Sequence, residues 1–184
     1  MAYSKVGISI PNVTGAIKIV VSTVAKTVTN LFDYTKATIN ARATSSGSVE
    51  AGASYNGYFV SDLMPLPASW KGDGTDIIRI YNPNNSKYNS NLSNQKCVMY
   101  IGSNYVQEAT AILANSDSTN LVKVTVSNGV ASFIGGKKTG TVASDAPSCT
   151  QFRLALSYNG SATAISSVDQ LKDIIVTVNE EIPV

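Results

Sequence analysis

Along most of this chain apolar and polar residues alternate with a period of two, the pattern of strands that bury one face. In KVGISI, Val6, Ile8 and Ile10 share a face; Pro11-Asn12 opens a turn that runs to Gly15. In AIKIVVSTV, Ile17, Ile19 and Val21 oppose Lys18 and Ser22, so 5–23 reads as a hairpin. Residues 28–56 are less regular. Leu31-Phe32 is expected to anchor locally in the core, and the Ser/Gly-rich run 44–57 reads as a mobile connector.

Two strands, 57–64 and 75–82, then flank a corner of Pro, Gly and Asp that holds the single tryptophan, Trp70. The second of them sets Ile78 and Ile80 on one face. The Asn-rich run 82–95 cannot pack a core and is expected to be an exposed loop. Cys97, Met99 and Ile101 alternate with Lys96, Val98 and Tyr100 in the next strand. A strand over 105–114 follows, then Val122, Val124 and Val126 line one face of LVKVTVS. Asn128-Gly129 signals a tight hairpin. A polar loop is expected over 135–150, and QFRLALSY then points Phe152, Leu154 and Leu156 inward. One helical turn is expected in SSVDQLKD, capped by Ser166 or Ser167. The last strand, DIIVTVN, turns Ile174, Val176 and Val178 to the core. About ten short strands at this spacing predict an all-β fold: an antiparallel two-sheet β-sandwich, jelly-roll-like, with one short helical turn. Residues 1–25 form an N-terminal arm in this reading, and 26–184 the sandwich domain.

Composition narrows the chemistry. The 184 residues are 14% charged, against roughly 25% in an average soluble protein. The polar surface must therefore come from Ser, Thr and Asn. Net charge is +2 and Lys137-Lys138 is the only adjacent basic pair, which gives no dense cationic face for nucleic acid. The absence of histidine removes Ser-His-Asp and Cys-His catalysis and every His-based metal site. Of the two cysteines, Cys97 sits in an apolar strand and reads as a buried thiol; a bridge to Cys149 stays open. The apolar run 16–25 is too short and interrupted to span a bilayer, and the N-terminus lacks the apolar stretch of a secretion signal. The expectation is a soluble protein made in a cytoplasm, without membrane insertion.

The polar loops hold candidate residues for three chemistries. Asp62, Asp73, Asp76 and Glu108 are the carboxylates a glycosidase pair would draw on, but Asp73 and Asp76 fall in a turn, where Asp commonly bonds its own backbone. Asp73 and Asp76 are also the weak candidates for a calcium site, in a spacing unlike an EF-hand; no other cofactor is expected. A glycan or partner contact would use Trp70, Tyr81, Tyr88 and Tyr105 with Asn84 and Asn85. The competing reading is that the tyrosines cap the core and that the Trp70 patch is a long corner; Trp70 equally suits an anchor for a neighbouring subunit.

Three segments carry a resemblance. They are IPNVTGAIKIVVST (10–23) followed by NLF (30–32), GYFVSDLMPL…GDGTDIIRIYN (57–82), and FRLAL…DQLKDIIVTVNEEI (152–182). In this order they resemble a domain of minor structural and tail proteins of bacteriophages and prophages of Gram-positive bacteria. The resemblance spans nearly the whole chain. It departs at PASWKGDGT, where the family runs almost at once from Pro to Gly-Asp, and in size, since family members are often long multidomain chains.

The resemblance implies a virion protein, assembled in the host cytoplasm, with a solvent-exposed β-sandwich and no catalytic residues. The expected function is a non-enzymatic capsid or neck decoration or accessory protein; the alternative is a glycan-binding host-adhesion module of a tail fibre or baseplate. The expected partners are other virion proteins and further copies of the chain, with host cell-surface polysaccharide under the alternative. Val6, Ile8, Ile10, Ile17 and Ile19 are the candidate attachment arm, because an alternating hairpin can extend a neighbour's sheet.

Overall fold

The computed structural model describes residues 28–44, 46–81, 96–106, 123–125, 130–134, 137–138, 141–158 and 163–180. The attachment hairpin with Val6, Ile8, Ile10, Ile17 and Ile19, and the loop residues Asn84, Asn85 and Tyr88, lie outside them, as does most of the strand expected at 105–114.

The described residues are all-β. Their strands are β1 (Thr38–Ile39), β2 (Ala41–Ala43), β3 (Val49–Ala51), β4 (Tyr58–Val60), β5 (Met64–Pro65), β6 (Ile77–Tyr81), β7 (Lys96–Ile101), β8 (Asn104–Tyr105), β9 (Lys123–Thr125), β10 (Val130–Ile134), β11 (Lys137–Lys138), β12 (Thr141–Val142), β13 (Gln151–Ser157) and β14 (Ile175–Val178). One sheet has the order β1-β4-β13-β7-β8, with β5 also on β13; a second has the order β14-β6-β10-β9. Every pairing is antiparallel. The β9–β10 pair is the hairpin that Asn128-Gly129 announces.

The two sheets share one core. Phe59, Met64, Cys97, Met99, Phe152, Leu154 and Leu156 come from the first sheet, and Ile78, Ile80, Val176 and Val178 from the second. These are the inward positions of the alternating runs, since successive strand side chains point to opposite faces. Each fully buried Leu, Ile or Phe among them contributes about 1.5–3 kcal/mol of transfer free energy. Phe32 also enters this core, 5.7 Å from Phe59 ring to ring, so Leu31-Phe32 is the anchor expected of it.

Three expectations are corrected. The Ser/Gly run is no mobile connector: β2 and β3 pair through it, and a 3₁₀ turn follows at Ala53–Tyr55. Thr44, Ser46 and Ser48 link hydroxyl to hydroxyl at the hairpin tip, a local order that composition does not encode. The 135–150 loop holds the β11–β12 ribbon and a 3₁₀ turn at Ala146–Ser148, with Ala143, Ala146 and Cys149 buried. Four 3₁₀ turns replace the single helical turn among the described residues, the other two being Tyr34–Lys36 and Val168–Leu171. The last is the expected one. Ser167 caps it, accepting the Asp169 N–H, while Gln170 reaches back to the Ser167 N–H.

The β2–β3 ribbon lies on the outward face of the first sheet as a third layer. Ala41 and Ala43 pack with Val60, Val98, Tyr100 and Ala155 in a second small cluster. Alanines at this contact let backbone approach backbone closely. Arg42 and Glu50 face solvent and pair at 2.8 Å, with the guanidinium 4.8 Å above the Tyr55 ring.

Candidate functional site

The corner between β5 and β6 is built from backbone, two glycines and one buried carboxylate. Trp70 N–H bonds Pro67 O at 2.9 Å and closes a turn. The Asp76 side chain is buried and accepts from Lys71 N–H, from Gly72 N–H at 2.7 Å and from Asn179 Nδ2 at 2.8 Å. A buried carboxylate needs such donors, because removal from water costs it far more than a neutral group. Gly72 has φ +67°, and a Cβ there would overlap the backbone of Ala146 and Pro147, so the 143–149 turn sits directly on the corner. Asp73 serves a different set of bonds, accepting from Thr75 N–H at 2.9 Å and from its hydroxyl. The Thr75 hydroxyl is the main cause that holds the Asp73 carboxyl below the usual carboxylate range. The two aspartates considered for calcium thus belong to separate hydrogen-bond sets.

Trp70 is half-buried against the core, and its Nε1–H donates to Ala146 O at 2.8 Å. This is the corner reading of the tryptophan: the ring fills the angle between the two turns. Tyr81 is half-buried at the end of β6 in the second sheet, and Tyr105 is half-buried in β8 at the edge of the first. The two therefore lie on different sheets. Tyr105 stands edge-on to Tyr100, ring centroids 6.4 Å apart.

Residues 29–31, β14 and this corner are tied together by side-chain and backbone bonds. Asn30 of NLF accepts the Val176 N–H at 2.9 Å and donates to Ile174 O at 3.1 Å, while Leu31 N–H bonds Val176 O. Asn179 accepts the Ile77 N–H at 2.9 Å and donates to Ser69 O as well as to Asp76. Its φ of +58° lies in the left-handed region, where Asn is tolerated better than most residues. Glu180 ties in from two sides: its carbonyl accepts from Arg79 Nη1 and Thr177 Oγ1, and its carboxylate accepts the Thr29 N–H at 3.1 Å. The open outer edge of β14 is covered in this way by residues 29–31.

Asn30, Asn40 and Asn179 are the residues that sequence reasoning passed over. Asn40, at φ +50°, accepts the Ile165 N–H and donates to Ile165 O, fastening the turn before β2 to the chain before Ser167. Each of these asparagines stands at or beside the end of an extended run, and that position is the one signal in the sequence. Both cysteines are buried free thiols. Burial pushes Cys97 well above the ordinary thiol range, with Cys149 adding to it; burial, helped by Asp145, pushes Cys149 up to about 11.

Comparison with protein-family models, with curated proteins and with solved structures gives no significant match to this chain.

Proposed function

We propose that the chain is a non-enzymatic structural protein of a bacteriophage particle, exposed on its surface as a capsid or neck decoration or accessory protein. The observation that supports this reading is that the described parts of the resembling segments, 30–32, 57–81 and the stretch through β14, are bonded to one another. Asn30, Asp76, Asn179 and Glu180 bond one another's strands and turns. Side chains that join strands to turns in this way suit a protein that works by holding a shape. In this reading its partners are other virion proteins and further copies of itself, repeated by the symmetry of the particle. Co-sedimentation of the protein with purified mature particles, mapped by electron microscopy, tests it. Density for the sandwich at repeated positions is the expected result; detection only in infected-cell lysate and never on particles removes it.

A second reading, a glycan-binding adhesion module, draws on the half-exposed Tyr81 and Tyr105 at strand ends. An array of host polysaccharides tests it with purified protein. Absence of binding across the array leaves the structural reading alone.

A further inference from the structure

The first sheet carries a ribbon on its outward face: Ala41 and Ala43 of β2 pack with Val60, Val98 and Ala155. The outward face of the second sheet has the residues to take a layer of the same kind. Ile78, Ile80, Ile174, Val176 and Val178 belong to the core, so the alternate positions Ile77, Arg79, Tyr81, Ile175 and Thr177 look away from it. The register sorts these positions into rows across the sheet. Ile175, Tyr81 and Val130 stand in one row, Thr177, Arg79 and Ser132 in the next, and Ile77 with Ile134 in the third. Two rows of apolar residue types thus flank a polar one.

Ile77, Tyr81 and Ile175 are half-buried, and Thr177 is fully buried although it points outward. The Thr177 hydroxyl and Arg79 Nη1 both donate to Glu180 O, at 3.0 and 3.1 Å. The polar row therefore has a partner at the end of its own sheet, and a layer laid over it strands neither group without a bond.

Residues 5–23 lie outside the described residues, and their sequence has the matching pattern. Val6, Ile8 and Ile10 share one face, and Ile17, Ile19 and Val21 oppose Lys18 and Ser22. The run 5–10, if extended, is about 20 Å long, against about 17 Å for β6. Chain position decides which face this segment can reach. Leu31 N–H bonds Val176 O and Thr29 N–H bonds Glu180, so the chain comes in along the outer margin of β14. From residue 23 to residue 28 an extended chain spans about 17 Å at most. A layer stacked on the second sheet lies about 10 Å above it, and β14 and β6 are about 5 Å apart, so the link suffices. The outward face of the first sheet is on the far side of the core and already holds β2–β3.

We infer that residues 5–23 pack as a third layer on the outward face of the second sheet of their own chain, with their alternating isoleucines against Ile77, Tyr81 and Ile175. The sandwich is then flanked by a ribbon on each side.

A nitroxide at Lys18→Cys on the full chain tests this, because Cys97 and Cys149 are buried and out of reach of the label. Paramagnetic broadening of backbone amides should centre on β6 and β14 and spare β7 and β13. It should vanish in a mixture of spin-labelled copies lacking nitrogen-15 with nitrogen-15 copies lacking the label. Hydrogen exchange gives a second readout. Tyr81→Asp and Ile175→Asp should each quicken exchange over 5–23 roughly tenfold or more, as a buried apolar contact is lost, and leave β13 unchanged. Thermal melts check that both variants fold, and the broadening measurement needs neither. Three results would overturn the inference. One is broadening absent from β6 and β14 or centred on the first sheet. Another is broadening that persists in the mixture, which would seat the segment on a neighbouring copy. The third is exchange over 5–23 that the folded variants leave unchanged.

Discussion

Asn179 holds both ends of the tryptophan corner: its Nδ2 donates to Ser69 O at 2.9 Å and to Asp76 Oδ1 at 2.8 Å, while its Oδ1 receives the Ile77 N–H at 2.9 Å. The side chain thus bridges the last strand, the first residue of β6 and the buried carboxylate that organises the loop before it. Asp76→Asn replaces a charged acceptor by a group with two N–H donors facing other donors. The expected loss is about 2–3 kcal/mol, a fall in Tm on the order of 5–10 °C for a chain of this size. Asn179→Gly should lose the same side-chain bonds but keep the left-handed backbone, and Asn179→Ala should be less stable than Asn179→Gly by about 1 kcal/mol. Chemical denaturation of the three variants checks the order.

Gly72→Ala should be the most damaging single methyl in the described body. The backbone there is left-handed, and the new Cβ would meet main-chain atoms of Ala146 and Pro147, which have no rotamer to escape into. A loss of about 4 kcal/mol or more is expected. Soluble yield and circular dichroism read it; a near-neutral Gly72→Ala would mean that the 143–149 turn can move off the corner.

Tyr100→Phe removes one hydrogen bond, from the phenol to Gly47 O at 2.6 Å, and leaves the ring in place. About 1 kcal/mol should be lost. The loss should be local, because that bond pins the β2–β3 tip to the sheet beneath it. Hydrogen exchange should quicken over residues 41–51 and stay unchanged in β13. Uniform quickening would show the ribbon to be part of the global fold instead of a separately fastened layer.

The two thiols should be silent toward dithiobis(nitrobenzoate) at pH 8 in the native state and both react in denaturant, because each is buried and held in its neutral form. The linkage has a definite sign. A thiol whose folded value lies above the unfolded one stabilises the fold fully below the unfolded value of about 8.5, and that contribution disappears as pH rises through the folded value. Melts should therefore decline between pH 8.5 and about 11, and Cys149→Ser should flatten the decline.

The sandwich was legible because its signal is local. Ile78 and Ile80, Cys97 and Met99, Phe152, Leu154 and Leu156, and Val176 and Val178 alternate in the sequence and share one core in the fold. Ser167 was legible for the same reason, since a capping box is written within four residues. The β2–β3 ribbon was not, because its apolar positions, Ala41 and Ala43, are too small to stand out in hydropathy. They are buried only because a particular sheet face receives them. The corner was legible as a corner from Pro, Gly and Asp, but its controlling partner, Asn179, is 103 residues from Asp76. Val60 faces Ala155 and Met64 faces Phe152, so β4–β5 carries one residue more than β13 over this span, and that bulge depends on a register that no stretch of sequence states.

The bond from Thr29 N–H to the Glu180 carboxylate, with Leu31 N–H on Val176 O beside it, has a consequence for aggregation. A bare sheet margin is a template on which a foreign strand can grow; residues 29–31 already occupy the outer margin of β14, so none can be added there.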